Sequence, residues 1–376
     1  MAKALGQEDN GIERVLQLAF ELSDAKWKLG FSDGQRMRQK TINAGDLEIL
    51  DHEIGKARER FKLPEACRVI SVYEAGRDGF WIHRALLARG IENLVIDSAS
   101  IEVNRKQRRA KADRLDVEAM LRQLRRYLGG ERKALSVVRV PTVAEEDQRR
   151  LTRERERLLK ERGAHRVRIQ SLLVAQGVRL KVGEQLLEEL DDLHSPAGYP
   201  LGEELKAEIR REYERYCVVH KQVLALERLQ RERIKSPQTK AQKQIQQLLQ
   251  MRSVGEVTAW VLVMEFFAWR QFRNRKELAA CAGLTPTPYN SGDMVRDQGI
   301  SKAGNRRIRT LLVEVSWLWL RYQPKSALAQ WYRKRFASGG KRMRRIGIVA
   351  LARKLLVALW RYLEHGVIPE GAVLSA

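Results

Sequence analysis

The chain has 376 residues, with 71 Lys or Arg against 47 Asp or Glu, a formal net charge of +24. At 44% hydrophobic residues it holds enough material for a core, which excludes global disorder. No apolar run reaches the roughly 18 residues of a bilayer crossing, since the best stretch, Thr258 to Phe267, is broken by Glu265. The opening MAKALGQEDN has no secretory pattern, and Cys67, Cys217 and Cys281 lie far apart with no CxxC. A disulfide scaffold and a zinc ribbon are thereby excluded, and a cytoplasmic setting is expected.

In chain order, Val15 to Leu22 reads as a strand, and Trp27 to Phe31 and Met37 to Ile42 as hairpin partners across Ser32-Asp33-Gly34. Asp46 to Phe61 has helical spacing. Cys67 to Tyr73 is a strand, Trp81 to Ala88 a helix and Glu92 to Ile96 a strand. Three early antiparallel strands followed by alternating helices and strands predict a mixed α/β sheet. Residues 143 to 240 are helical and highly charged. Ile209, Tyr216 and Val223 recur every seven residues, as do Leu205, Val219 and Leu226 once Glu212 is allowed for. With Glu145 to Gly177 as partner and His194 to Gly202 as the turn, this predicts an antiparallel coiled-coil hairpin able to dimerise. From 245 to 365 the pattern is again helical: Val257 to Phe267, Ile308 to Trp319 and Ile346 to Trp360 are apolar helices between basic loops, with the tryptophans in the core. Gly366 onward reads as a loose tail.

The charge surplus points to a polyanion, DNA or RNA, bound with strong salt dependence. The basic residues cluster at Arg105, Lys106, Arg108, Arg109 and Lys111; at Lys302, Arg306, Arg307 and Arg309; and from Arg333 to Arg345. Arg forks onto phosphate.

Carboxylates stand where strands end or helices begin. Glu21 lies in the first strand, Glu74 follows the CRVISVY strand, and Asp113 and Asp116 sit at i, i+3 at the start of a helix. Singly, Asp113 reads as an N-cap, Asp116 as a solvated helix residue and Glu74 as a turn residue. Together, four converging carboxylates repel unless a cation lies between them. Mg²⁺ suits such hard oxygen ligands, and two ions about 3.5–4 Å apart can clamp a phosphate.

The ordered set FELSDAKWKL, VYEAGRDG, AKADRLDVEAM and AGLTPTPYNSGDMVRDQGISKAGNRRIR resembles the bridge-RNA-guided DEDD/serine transposases of bacterial insertion sequences, the IS-one-ten family, over nearly the whole chain. The resemblance implies a RuvC-like, RNase H-type domain over residues 12–130, the coiled-coil hairpin over 143–240 and a helical transposase domain over 245–365. It places the acidic tetrad, and with it Mg²⁺, on Glu21, Glu74, Asp113 and Asp116. The first acid of the family is usually Asp. Asp24 is nearby but on a continuing strand would point to the opposite face, so Glu21 is preferred. Ala112 stands where the family commonly has Thr.

The segment TPTPYNSG, with Pro286, Pro288 and Gly292, cannot be regular helix and is expected to present Ser291 on an exposed turn. A Ser-Gly pair alone is ordinarily just a turn. Here ISKAGNRRIR follows at once, and a helix beginning after Gly304 could hold a phosphate with its amides, Asn305, Lys302, Arg306 and Arg307. A serine attacking phosphorus conserves the bond energy as a phosphoserine link, so strands rejoin without ATP. With no His nearby, activation by the metal site of the first domain, in the same or another subunit, is what the resemblance implies. Ser301 is read as an N-cap. MRSVGEVTAW resembles a helix-hairpin-helix turn, which binds DNA backbone, with Gly255 retained and Ser253 in place of a glycine; an ordinary helix-to-helix turn is the competing reading.

The leading expectation is a transposase that cuts and rejoins double-stranded element ends and target DNA. The resemblance implies guidance by a structured non-coding RNA, and the protein would act as a dimer or dimer of dimers in the bacterial cytoplasm, at the nucleoid. The alternatives are a RuvC-like junction resolvase without a covalent intermediate and a non-catalytic nucleic-acid scaffold.

Overall fold

The structure, a computed structural model, describes residues 14–76, 78–97, 101, 113–291 and 294–375. The chain divides into two compact units, Met1–Pro141 and Thr142–Ala376.

The first unit comprises β1 (Leu16–Leu22), β2 (Lys26–Ser32), β3 (Met37–Asn43), α1 (Leu47–Phe61), β4 (Val69–Glu74), α2 (Trp81–Ala88), β5 (Glu92–Ile96) and α3 (Asp113–Leu128). Asp46, which the helical spacing puts inside the helix, instead caps α1 by accepting the Ile49 N–H. The sheet order is β3-β2-β1-β4-β5, with β1, β2 and β3 antiparallel and β4 and β5 parallel to β1. Strand alternation decides which helix covers which face. Leu16, Leu18 and Phe20 pack with Leu50 and Ile54 of α1 and with Ile82 and Leu86 of α2, while Ala19, Ile70 and Val72 pack with Val117, Met120 and Leu121 of α3. Glycine is required at Gly30, where an added Cβ would lie 2.1 Å from Cγ1 of Val117. A side chain at that position would push α3 off the sheet.

The second unit contains α4 (Val143–Gln148), α5 (Arg150–Ala175), α6 (Leu186–Leu190), α7 (Glu203–Lys235), α8 (Lys240–Leu249), α9 (Glu256–Leu262) and α10 (Arg275–Cys281). These are followed by β6 (Pro286–Ser291), β7 (Met294–Ile300), α11 (Arg306–Tyr322), α12 (Ala327–Tyr332) and α13 (Lys341–His365). α9 and α12 each continue into a π-helical turn, Val263–Phe267 and Arg333–Ala337. α5 and α7 pair along their length. Ile169 and Leu173 meet Ile209 and Tyr213 at one end, and Leu158 meets Val219 and Val223 at the other. Glu212 is buried between them, its carboxylate taken by His165 (2.6 Å), Arg168 (2.8 Å) and Arg215 (2.7 Å). Burial opposes ionisation of Glu212, but the hydrogen bonds from His165 and Arg168 outweigh it and hold the carboxyl below its ordinary value. A second core joins α8, α9, α11 and α13 around Leu248, Trp260, Phe266, Leu312, Trp319 and Leu355.

Several expectations are corrected. β4 begins at Val69 and includes Glu74 as its last residue, because Cys67 closes a turn onto the carbonyl of Pro64. The link between the long helices spans residues 176–202 and contains α6, so it is longer than His194 to Gly202. The second unit is not all helical: the Pro-containing segment expected as a loop is strand β6. A two-stranded ribbon has only edges, where a proline's missing N–H costs nothing, and a bulge lies between Pro286 and Pro288. Trp317 is 50% exposed and is not core. The tail is docked, with Leu374 bridging to Met251 and the Gln323 amide exchanging two hydrogen bonds of 2.7 Å with the Val373 backbone.

Candidate functional site

In the first unit, backbone register gathers the carboxylates. β1 and β4 run parallel with Phe20 opposite Tyr73, so the next residues, Glu21 and Glu74, stand side by side about 4.8 Å apart. Both are half-buried. Each lies two residues beyond a residue packed against α3, Ala19 and Val72, and so shares the face that α3 covers. The direction of α3 follows from three contacts. Val117 lies over Gly30, which pairs with Ala19; Gln39 Nε2 donates to Glu118 (3.2 Å); and Arg125 donates to the carbonyl of Gly34 (2.6 Å), near the start of β1. The helix therefore runs against β1, with its N-terminus over the C-terminal ends of β1 and β4. Asp113 lies about 6 Å before Val117 along the helix, and Glu21 about 6.6 Å beyond Ala19 along the strand, so the two advance to the same level. Asp116 is half-buried at that end. Lys28 is the register partner of Glu21 on β2 and shares its face; only the strand pairing, not the sequence pattern, identifies it. Asp24 is exposed, in the turn between β1 and β2 rather than on a continuing strand.

The donor set, all carboxylate oxygen, suits a hard divalent cation. Among the described residues, no three His, Cys, Asp or Glu side chains form a group able to hold a metal ion; the Asp113 side chain lies outside that description. The cluster Arg105, Lys106, Arg108, Arg109 and Lys111 also lies outside the described residues.

In the second unit, Ser291 is the last residue of β6, at the tip of the β6–β7 ribbon. The root of the ribbon is locked to the end of α10. Ser301 N–H donates to Thr285 O (2.8 Å), Lys302 N–H to Gly283 O (3.2 Å) and Asn305 N–H to Cys281 O (2.8 Å). Gly283 and Gly304 have φ of 68° and 104°, and a Cβ at either would meet a backbone oxygen at 2.2 or 2.4 Å. The cap of α11 is Asn305, whose side chain accepts the Ile308 N–H; Ser301 lies outside the helix, so the N-cap expected there is corrected. Lys302 and Arg306 are exposed. Arg309 donates to the carbonyl of Ala282 (3.3 Å). Arg307 is bound by Glu156 (2.5 Å) and reaches Glu265 (3.4 Å), which is 1% exposed and also receives a two-pronged bond from Arg153 (2.8 and 2.9 Å). That ion-pair network was legible only as a lone acid inside an apolar run, a pattern that demands a buried cation. Gly255 begins α9 with an ordinary negative φ and open space around it, while Ser253 is buried.

The segment 245–332 matches the family model described as Transposase IS116/IS110/IS902 family. The chain is 41% identical over 377 residues to y4rJ of Sinorhizobium fredii, named a transposase, covering 95% of this chain and 94% of that protein. It is 27% identical to the transposase for insertion sequence element IS1111A of Coxiella burnetii, over 64% of this chain and 63% of the relative. To the transposase for insertion sequence element IS1328 of Yersinia enterocolitica it is 24% identical, over 58% and 63%.

Proposed function

The chain belongs to the IS116/IS110/IS902 family of transposases, which cut and rejoin DNA, and on that premise we propose that it does so through a phosphoserine intermediate on Ser291, assisted by a Mg²⁺-dependent carboxylate centre and guided by a structured non-coding RNA. The observation that carries the reading is the register of β1 and β4, which sets Glu21 beside Glu74 under the N-terminus of the helix bearing Asp113 and Asp116. The strand order β3-β2-β1-β4-β5 supports an RNase H-like (RuvC-like) domain over 12–130. The α5–α7 pair supports a coiled-coil hairpin over 143–240, followed by a helical transposase domain over 245–365. Assembly as a dimer or dimer of dimers is part of the same reading.

Glu21, Glu74, Asp113 and Asp116 would hold the divalent ion. When bound, it supplies charge neutralisation at the phosphate and lowers the pKa of an attacking hydroxyl. The Ser291 hydroxyl loses its proton and its oxygen bonds to phosphorus. The bond from phosphorus to the departing strand oxygen breaks, and that oxygen takes up a proton. A hydroxyl of the strand to be joined then displaces Ser291 and restores its proton. Lys302 and Arg306, exposed beside the α11 N-terminus, hold the phosphate, and Asn305 fixes that end of the helix. Arg307 and Arg309, engaged within the protein, position the same helix.

Ser291→Ala tests the reading. Denaturing gels of the protein on labelled element ends are expected to lose the covalent adduct and strand exchange entirely. Recombination at the wild-type rate would sink the serine assignment, and metal-dependent cleavage retained without an adduct in the wild type would favour the resolvase.

A further inference from the structure

A cleft of about 1110 Å³ lies in the second unit, floored by α13 and walled by the start of α10, the ribbon root, α12 and the tail. Its floor is aliphatic: Ile346, Val349, Ala350 and Val357 on α13 and Leu328 on α12. Ile346 of the floor and Val367 and Ile368 of the tail wall are each about half exposed (50%, 54% and 48%), an open apolar surface that an isolated chain has no reason to keep. The rim is cationic. Arg345, Arg353, Lys354 and Arg361 rise from α13, and Arg275, Lys276 and Lys302 face them, against one carboxylate, Glu370, among the described residues. Among the described residues none of these seven cations is in an ion pair, whereas Arg153, Arg155 and Arg307 elsewhere in the unit are all paired. Lys354 instead lies 4.7 Å over the ring of Trp331, giving the cleft a combined cation and aromatic edge.

Lys302 is held at φ 57°, a left-handed conformation that glycine adopts freely and a long side chain does not. A charged side chain is therefore maintained at the rim against a local backbone cost.

We propose that this cleft is a binding groove for single-stranded nucleic acid, with phosphates on the Arg and Lys rim and unstacked bases on the aliphatic floor and the Trp331 edge. From Arg345 to Arg361 the floor runs about 24 Å, enough for several nucleotides. A duplex hides its bases and has no use for an apolar floor. A single strand presents both phosphate and base faces, which this pairing of rim and floor matches. Pro286 and Ile300, at the root of the ribbon, form one wall, and Ser291 lies five residues further along β6, about 17 Å away along the strand. The groove thus lies along the approach to Ser291 for a strand freed or held open during exchange. That link rests on the Ser291 reading; the occupancy of the groove does not.

Binding of the full chain to fluorescein-labelled oligo(dT), oligo(rU) and a mixed-sequence duplex of about 20 nucleotides, by anisotropy in EDTA across a salt series, tests the proposal. R353A/R361A is expected to weaken single-strand binding about tenfold or more and to lower the salt slope by about 1.4, two phosphate contacts. Val349→Ser with Val357→Ser should weaken it without changing the slope. Lys302→Gly should bind more weakly with a slope about 0.7 lower, yet melt at the same temperature or higher, which separates lost binding from lost folding. A 4-thiothymidine strand should crosslink at Trp331. Tighter binding of oligo(dT) or of oligo(rU) assigns the strand to DNA or RNA. Unchanged affinity and slope in folded R353A/R361A would overturn the groove, and equal losses on duplex would reduce it to a general electrostatic patch. An acidic amphipathic peptide that requires these arginines, while the oligonucleotides do not, would assign it to a protein partner instead. Ser291→Ala should bind like wild type, so a failure of the nucleophile leaves this result standing.

Discussion

The strand ends of the first unit and the ribbon of the second carry their chemical groups in opposite ways. Glu21, Glu74 and Asp116 sit on two strands and a helix whose mutual placement is enforced by apolar packing, with Gly30 admitting α3 at contact distance. Ser291 sits at the end of a two-stranded ribbon whose root is anchored where Gly283 and Gly304 interlock with α10 and the α11 cap. Groups that must share one cation need fixed separations. On the proposed reading, a serine that meets a strand and later releases it gains from reach. The surroundings differ too: the carboxylate end has Lys28 as its ladder neighbour, while the ribbon root faces a rim of cations that are in no ion pair among the described residues.

The largest effect expected to sharpen this contrast is at the strand ends. Glu74→Gln and Glu21→Gln should each slow DNA cleavage about a hundredfold to a thousandfold, the several kcal/mol that charge stabilisation by a bound metal is worth, with folding intact by circular dichroism. Asp24→Asn should be nearly silent in the same assay, and the reverse order would transfer the first acid to Asp24. In the second unit, Glu265→Ala removes the partner of the half-exposed Arg153 and should cost about 1–3 kcal/mol by denaturant unfolding. Less than about 1 kcal/mol would mean that the network is not what anchors α11. Gly30→Val should cost about 1–3 kcal/mol by overpacking and should reduce cleavage as well, because it lifts the helix that carries Asp113 and Asp116; unaltered cleavage would show that α3 need not seat closely.

The smallest effect concerns Glu212. Its folded-state pKa is lowered, so the stability it contributes is present above the unfolded value of 4.5 and is lost as pH falls from there through the lowered value. Unfolding midpoints of wild type should drop over that acidic window more steeply than those of Glu212→Gln. Parallel curves would dismiss Glu212 as the acid-sensitive element of the helix pair.

Much of the first unit was readable in advance because its strands are short apolar runs between turn signals and its helices have apolar spacing. Trp81 to Ala88 and Glu92 to Ile96 have the same limits in the structure. The ribbon was missed because prolines signal loops in a sequence, and only the partner strand reveals that they occupy edge positions. The docked tail was missed because Val373 and Leu374 are held by Gln323 and Met251, far away in the chain. Of the basic residues around the α11 start, composition could not separate Arg307, absorbed by Glu156 and Glu265, from Lys302, left at the cleft rim.

The amino-acid sequence by itself determined the order of elements in the first unit, the surplus of positive charge and the identity of the candidate acids and serine, because periodicity and composition are local properties. Only the tertiary structure decided that Glu21 and Glu74 are neighbours, that α3 runs against β1 and brings its acids to the same end, and which cations remain unpaired. Those outcomes depend on strand pairing and on the competition of distant carboxylates for each guanidinium, and neither is encoded in any single stretch of chain.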